Sequence, residues 1–283
     1  MFRLVLGVEG EIFKCVFQND KIKYRSAKLL QTNMIDVHCH LEQKDYEKDR
    51  KEIIKKCQRE LKALVTCCTC LADFESTVSL VEKYKNFIFA TFAIHPIYIE
   101  EVSEKEIEIF FKKIEENEEK IVGIGETGLD FKIEKEKLRE DQKKLFLKFI
   151  HLSKELKKPL VIHARKAFGE TIEILEKSKS QRVLMHFFTE RKLLPKIIKN
   201  GWSISVNTTL LTSKDIKKIV RDLPIEKIMT ETDSPWLGPQ GKRNDPTSVK
   251  FVIEKIAEIK KMKFEKIAEI TTQNAISFFN LPI

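Results

Sequence analysis

Glycine and proline are scarce, at 9 and 8 in 283 residues. That is about half of ordinary usage and leaves little room for flexible linkers. No apolar run approaches the roughly 18 residues a membrane span needs. The amino terminus, MFRLVLGVEGEIFK, has neither the long apolar stretch nor the small-residue cleavage site of a secretory signal. These absences lead to the expectation of a cytoplasmic protein with no membrane partner. Cysteine is too thinly spread for a disulfide framework: six are present, and a chain this long can bury a core without staples. Cys67 and Cys70 have C-x-x-C spacing, but no second pair follows. ALVTCCTCLADF reads as a buried strand entering a loop, so reduced core thiols are expected rather than a zinc or redox site.

What is present is a soluble globular composition, 42% hydrophobic and 34% charged. Lys and Arg number 52 against 43 Asp and Glu, a net charge of +9, of which the first 33 residues supply +3. Such a surplus favours a polyanionic partner, DNA or alternatively RNA. The plainer reading is a solvated helical surface rich in Lys and Glu.

From Met34 onward, short β-rich runs alternate with longer helical patterns. The strand candidates are MIDVHCH (34–40), ALVTCC (63–68), FIFATFAIH (87–95), KIVGIGE (120–126), PLVIHA (159–164), RVLMHFF (182–188), WSISVN (202–207) and KIMTETD (227–233). Their nearly continuous apolar character is that of parallel strands covered on both faces. Between them lie Lys/Glu-rich stretches; in one, Leu138, Leu145, Phe149, Leu152 and Leu156 fall on a single helical face. Eight strands, each followed by a helix, predict an α/β fold, a (β/α)₈ TIM barrel over residues 34–283. An open doubly wound sheet usually has fewer strands and a Gly-rich first turn. Residues 1–33 stand outside the alternation. RLVLGVE, EIFKCVFQ and KIKYRS predict a small antiparallel β extension with turns near Glu9-Gly10 and Asn19-Asp20, too short to be an independent domain.

Barrels of this kind build their sites at the C-terminal ends of the strands. Five of the six histidines fall at such ends: His38 and His40, His95, His163 and His186. The sixth, His151, lies in a helical pattern and reads as structural. Residues two apart on a strand point the same way, so His38 and His40 should share a face with Asp36, which reads as a support for the site. Glu126 and Asp233 end two further strands. Four imidazoles and two carboxylates suit Zn²⁺, Mn²⁺, Co²⁺ or Fe²⁺. Six side chains exceed the three protein ligands usual for one catalytic zinc and suit two ions sharing a carboxylate, which predicts hydrolysis.

IDVHCHLE (35–42), AIHP (93–96), GIGETGLDF (123–131), VIHARKA (161–167), MHFF (185–188) and TETDSPWL (230–237) occur in an order that resembles the TatD family of metal-dependent DNases. The resemblance covers the chain from about Met34 to its end. It implies one metal at His38, His40 and Asp233 and a second at His163 and His186, with Glu126 bridging. It further implies two divalent ions (Zn²⁺, Mn²⁺, Mg²⁺ or Co²⁺) and 3′-to-5′ exonuclease cleavage of DNA by an activated water, with Asp233 and Glu126 as catalytic residues. The chain departs from the family pattern at Ile97, where a histidine often follows His-Pro, at Phe187 within HFF, and at Asp245, where Glu is more usual.

Substrate contacts are expected from His95, from Arg165 on the strand face of His163, and from Arg243 in the Gly/Pro loop with Lys242 and Asn244. Trp236 is placed either to stack on a base or to pack in the core, and Asp130 to orient a ligand. Three other functions compete. An amidohydrolase or lactonase would use the same barrel, but many bridge their metals with a carboxylated lysine where this chain offers Glu126. An aminoacyl-tRNA deacylase would hydrolyse an ester while a basic surface holds RNA. A nucleic-acid-binding barrel without turnover would keep clustered carboxylates at a cost.

Overall fold

The β-branched and aromatic runs form strands, and the stretches with apolar residues three and four apart form helices. The computed structural model describes residues 4–6, 12–16, 23–26, 33–132 and 135–283. The chain divides into two units, Met1–Thr32 and Asn33–Ile283. In the first, β1 (Leu4–Leu6), β2 (Ile12–Val16) and β3 (Lys23–Ser26) form an antiparallel sheet in sequence order. The turns expected at Glu9-Gly10 and Asn19-Asp20 lie outside the described residues.

In the second unit, β4 (Ile35–Cys39), β5 (Ala63–Cys68), β6 (Ile88–Phe92), β7 (Ile121–Asp130), β8 (Leu160–Arg165), β9 (Val183–Met185), β10 (Ser203–Val206) and β11 (Ile228–Thr230) pair in that order, all parallel. The helices are α1 (Arg50–Glu60), α2 (Phe74–Lys83), α3 (Glu104–Glu116), α4 (Glu136–Glu155), α5 (Phe168–Lys177), α6 (Leu194–Lys199), α7 (Lys214–Asp222), α8 (Val249–Lys260) and α9 (Phe264–Phe279). This is a (β/α)₈ TIM barrel. Its last seam, β11 against β4, is closed by isolated bonds: Asp233 N donates to the His38 carbonyl (2.9 Å), and His40 N to that of Ser234 (2.8 Å). Thr230 Oγ1 donates to the Ile35 carbonyl (3.0 Å).

The outward faces of the strands pack on the helices. Leu64, Ile124, Ile162 and Ile204 meet a layer that includes Phe110, Phe146 and Phe149. On α4 the expected face buries Leu145, Phe149 and Leu152. The lower interior is filled by Ile35, Val37, Val65, Val161, Leu184 and Met229, with Phe279 and Leu281 from the carboxyl end. Each such buried side chain contributes roughly 1.5–3 kcal/mol. The lower half is therefore a packed core, and the histidines and carboxylates gather above it.

Strand ends differ from the sequence expectation in a way that places the site. β7 runs to Asp130, so Glu126 sits inside the strand and not at its end. Gly128 permits the extension, because a Cβ there would collide with the His163 carbonyl oxygen of β8. β9 and β11 are shorter than expected, and His186 and Asp233 lie just past them. The backbone stays in register there through single bonds, such as His186 N to the Ile162 carbonyl (3.1 Å).

Candidate metal centre

The register of β4 against β5 shifts between Asp36 and Cys39. Ile35 and Val37 point into the barrel, yet after the shift His38 and His40 reach the interior as well. Asp36 therefore does not share their face, contrary to the expectation from simple alternation. Its carboxylate accepts from Thr232 Oγ1 (2.5 Å) and from the amides of His38 and Thr232 (3.1 Å each), tying β4 to the chain beyond β11. A second shift, between Ile124 and Thr127 of β7 relative to β8, brings Glu126 inward.

The two Glu126 oxygens face different partners. Oε2 lies 3.2 Å from His38 Nε2 and 3.8 Å from His40 Nε2. Asp233 Oδ1 completes that side, 3.3 Å from His40 Nε2 and 3.7 Å from His38 Nε2. Oε1 lies 2.7 Å from His163 Nδ1 and 3.5 Å from both His186 Nε2 and His95 Nε2. Atoms bound tetrahedrally at about 2.1 Å from one ion would be about 3.4 Å apart, close to all of these separations except that of His163 Nδ1, which lies at hydrogen-bond distance from Oε1. His38 Nε2 is fully buried and has no hydrogen-bond partner, although a buried polar nitrogen of this kind normally has one. An ion among these atoms would supply it, so the donor set fits a divalent metal. Among the described residues, close His/carboxylate groups include His38 with His40 and Glu126, and His95 with Glu126 and His163. His95, expected as a substrate contact, thus stands within ligand distance.

Electrostatics keeps the carboxylates charged. Burial pushes Glu126 up, but His186, His95 and His38, with the His163 bond, outweigh it and hold the carboxyl well below its usual range. Asp233 is likewise pushed up by burial but held low by its bond to His40 and by His186 and His38. Burial pulls His186 down, yet Glu231 and Glu126 raise it to about 10. Lys166, Phe187 and Asp233 have φ of 54°, 45° and 56°, a region costly for L-residues and concentrated at functional sites.

The outer support was largely missed from sequence. Glu231 is fully buried and accepts from His186 Nδ1 (2.8 Å), Phe187 N and Asn207 Nδ2 (3.2 Å each). Glu42 lies 3.4 Å from His40 Nδ1. Cys67 Sγ meets His38 Nδ1 at 3.2 Å, and Asp130 Oδ2 lies 3.3 Å from His163 Nε2. Carboxylates two residues after His40 and two before Asp233 were a visible signal for Glu42 and Glu231. For Cys67 there was none. Cys39, Cys57, Cys67, Cys68 and Cys70 are free thiols.

A cavity of about 550 Å³ opens over Glu126, Asp233 and the imidazoles of His40, His95, His163 and His186. Arg165 and Trp236 line it. Arg243 does not: it is paired with Asp49 and lies 5.2 Å from the Tyr46 ring centroid. Asn244 is buried, donating to the Thr232 carbonyl (3.1 Å). His151 is a surface residue, 3.2 Å from Glu155.

The family model described as TatD related DNase matches residues 35–280. An uncharacterized metal-dependent hydrolase of Methanocaldococcus jannaschii, MJ1582, is 37% identical over 87% of this chain and 96% of its own length. Human deoxyribonuclease TATDN3 is 31% identical over 87% of this chain and 94% of its own. Among solved structures, YJJV, a TatD homolog from Escherichia coli, shares the fold with a TM-score of 0.82 at 24% identity, covering 89% of this chain and all of that one.

Proposed function

The chain belongs to the TatD family of related DNases, which are metal-dependent hydrolases, and on that premise we propose that it is a deoxyribonuclease removing nucleotides from 3′ ends. The observation that carries the two-metal form of this reading is the divided carboxylate of Glu126, one oxygen toward His38 and His40 and the other toward His163 and His186. His38, His40 and Asp233 would hold one ion and His163 and His186 the other, with Glu126 shared. Bound divalent ions supply an acidified water and positive charge against phosphoryl oxygens.

The chain's own groups do the rest. Asp233 turns Oδ1 to the two imidazoles, and its other oxygen, Oδ2, takes the proton of the attacking water. Its lowered pKa keeps it ionised near neutral pH. Arg165 is exposed at the end of β8 and donates to the phosphate from a planar guanidinium suited to it.

With 5′-labelled single-stranded DNA, metal-replete protein is expected to shorten the strand stepwise from its 3′ end, and a chelator to stop it. Asp233→Asn should retain its metals and lose kcat by on the order of 10²-fold or more. Near-native cleavage by the metal-replete variant would remove the proton-accepting role. No cleavage by metal-replete wild-type protein would overturn the nuclease reading.

A further inference from the structure

The chain has two tryptophans, in opposite circumstances. Trp202 is 1% exposed and donates from Nε1 to the Ser180 carbonyl (3.0 Å). Trp236 is 47% exposed on the cavity wall, its ring centroid 4.9 Å from that of His40 with the planes 59° apart. The turn that carries it is pinned along its length. Trp236 N donates to the Asp233 carbonyl (3.0 Å), Asn244 N donates to that of Pro235 (2.9 Å), and the Thr208 hydroxyl donates to that of Leu237. Asn244 is itself anchored, its carbonyl accepting from the Tyr46 hydroxyl (2.6 Å). The backbone that presents the indole is thus held beside the reactive floor. Ile97, 51% exposed, adds a further exposed apolar side chain to the same cavity. The Arg165 guanidinium, on the same wall, has no hydrogen bond or ion pair among the described residues, though its charge helps to lower Asp130.

Building on the nuclease reading above, we propose that Trp236 is the stacking platform for the base of the terminal nucleotide. The cavity takes that nucleotide with its base on the indole and its phosphate toward the carboxylate–imidazole floor and Arg165. A cavity of about 550 Å³ is within the size range of small-ligand sites. Every base has a π face, so the contact is tolerant of sequence. Trp236 makes no contact with the proton transferred from water; it governs how well the strand end is held, and the signature is in KM, not kcat.

Two measurements test this. In kinetics on single-stranded DNA, Trp236→Ala is expected to raise KM about 10-fold or more with kcat within a few-fold, while Trp236→Phe retains most of the affinity. A strand ending in an abasic 3′ sugar should give the wild-type protein the KM of Trp236→Ala, and should cost that variant nothing further. In the second measurement, made on metal-free protein, oligothymidylate should quench the emission of the exposed tryptophan and leave that of Trp202, and Trp236→Ala should lose the response. Cleavage by Trp236→Ala with unchanged KM and no quenching in wild type would overturn the stacking role and leave the nuclease reading standing. Quenching without cleavage under any divalent metal would keep the platform and overturn the nuclease.

Discussion

His38 rests on a thiol where its neighbours rest on carboxylates. Glu42 backs His40, Glu231 backs His186 and Asp130 backs His163. Cys67 Sγ takes the matching place behind His38, and itself lies 3.0 Å from Thr91 Oγ1. Burial pushes the Cys67 thiol well above its usual pKa, so the support is neutral. It keeps a further buried anion out of a centre already holding Glu126 and Asp233, and it directs Nε2 to the ligand side. Cys67→Ala is expected to lower metal affinity about 10- to 100-fold, read by competition with a chromogenic chelator. Cys67→Ser, which keeps a hydrogen-bonding group, should recover most of it. Equal affinity in Cys67→Ala and wild type would show that His38 needs no partner. The imidazoles were legible in sequence because their residue type is rare and each falls at a strand end. The thiol was not, because it faces His38 only through the pairing of two strands 29 positions apart in the chain.

At the scale of elements, β4 and β7 each change phase at the residues that enter the site. Alternation read from sequence carries one phase through a strand, so it put Asp36 beside the histidines, while the apolar run KIVGIGE ended β7 at Glu126, short of Asp130. Another device joins distant elements. Asp245 Oδ1 accepts from Thr247 N (3.0 Å) and Thr247 Oγ1 (2.5 Å), while Oδ2 pairs with Lys56 of α1 (2.8 Å). Burial pushes this carboxyl up, but Lys56 and Thr247 outweigh it and hold it below its ordinary value. A depressed folded pKa makes the contribution fully present above the unfolded pKa of about 4, and it is lost as pH falls through the folded value. Asp245→Ala should cost roughly 1–2 kcal/mol at pH 7. In urea unfolding, the gap between variant and wild type should narrow as pH falls below about 4. A gap independent of pH would mean that the carboxylate's charge contributes nothing.

For the whole molecule, the barrel was legible because eight strand–helix units repeat, and repetition survives an error of several residues at any one boundary. The closing seam was not, since it contributes single bonds where the other strands have ladders. Charge acts at this scale too. With a net charge of +9, strand binding is expected to release counterions, so log KM for single-stranded DNA should rise linearly with log salt while kcat stays nearly flat. A KM indifferent to salt would assign the surplus of lysine to solvation alone.

The seam has one more consequence. Thr232 and Asp36, which it joins, are 196 positions apart, and the same closure brings Asp233 to His38 and His40. A chain growing on the ribosome therefore carries His38 and His40 without the carboxylate that completes them until residue 233 has been made.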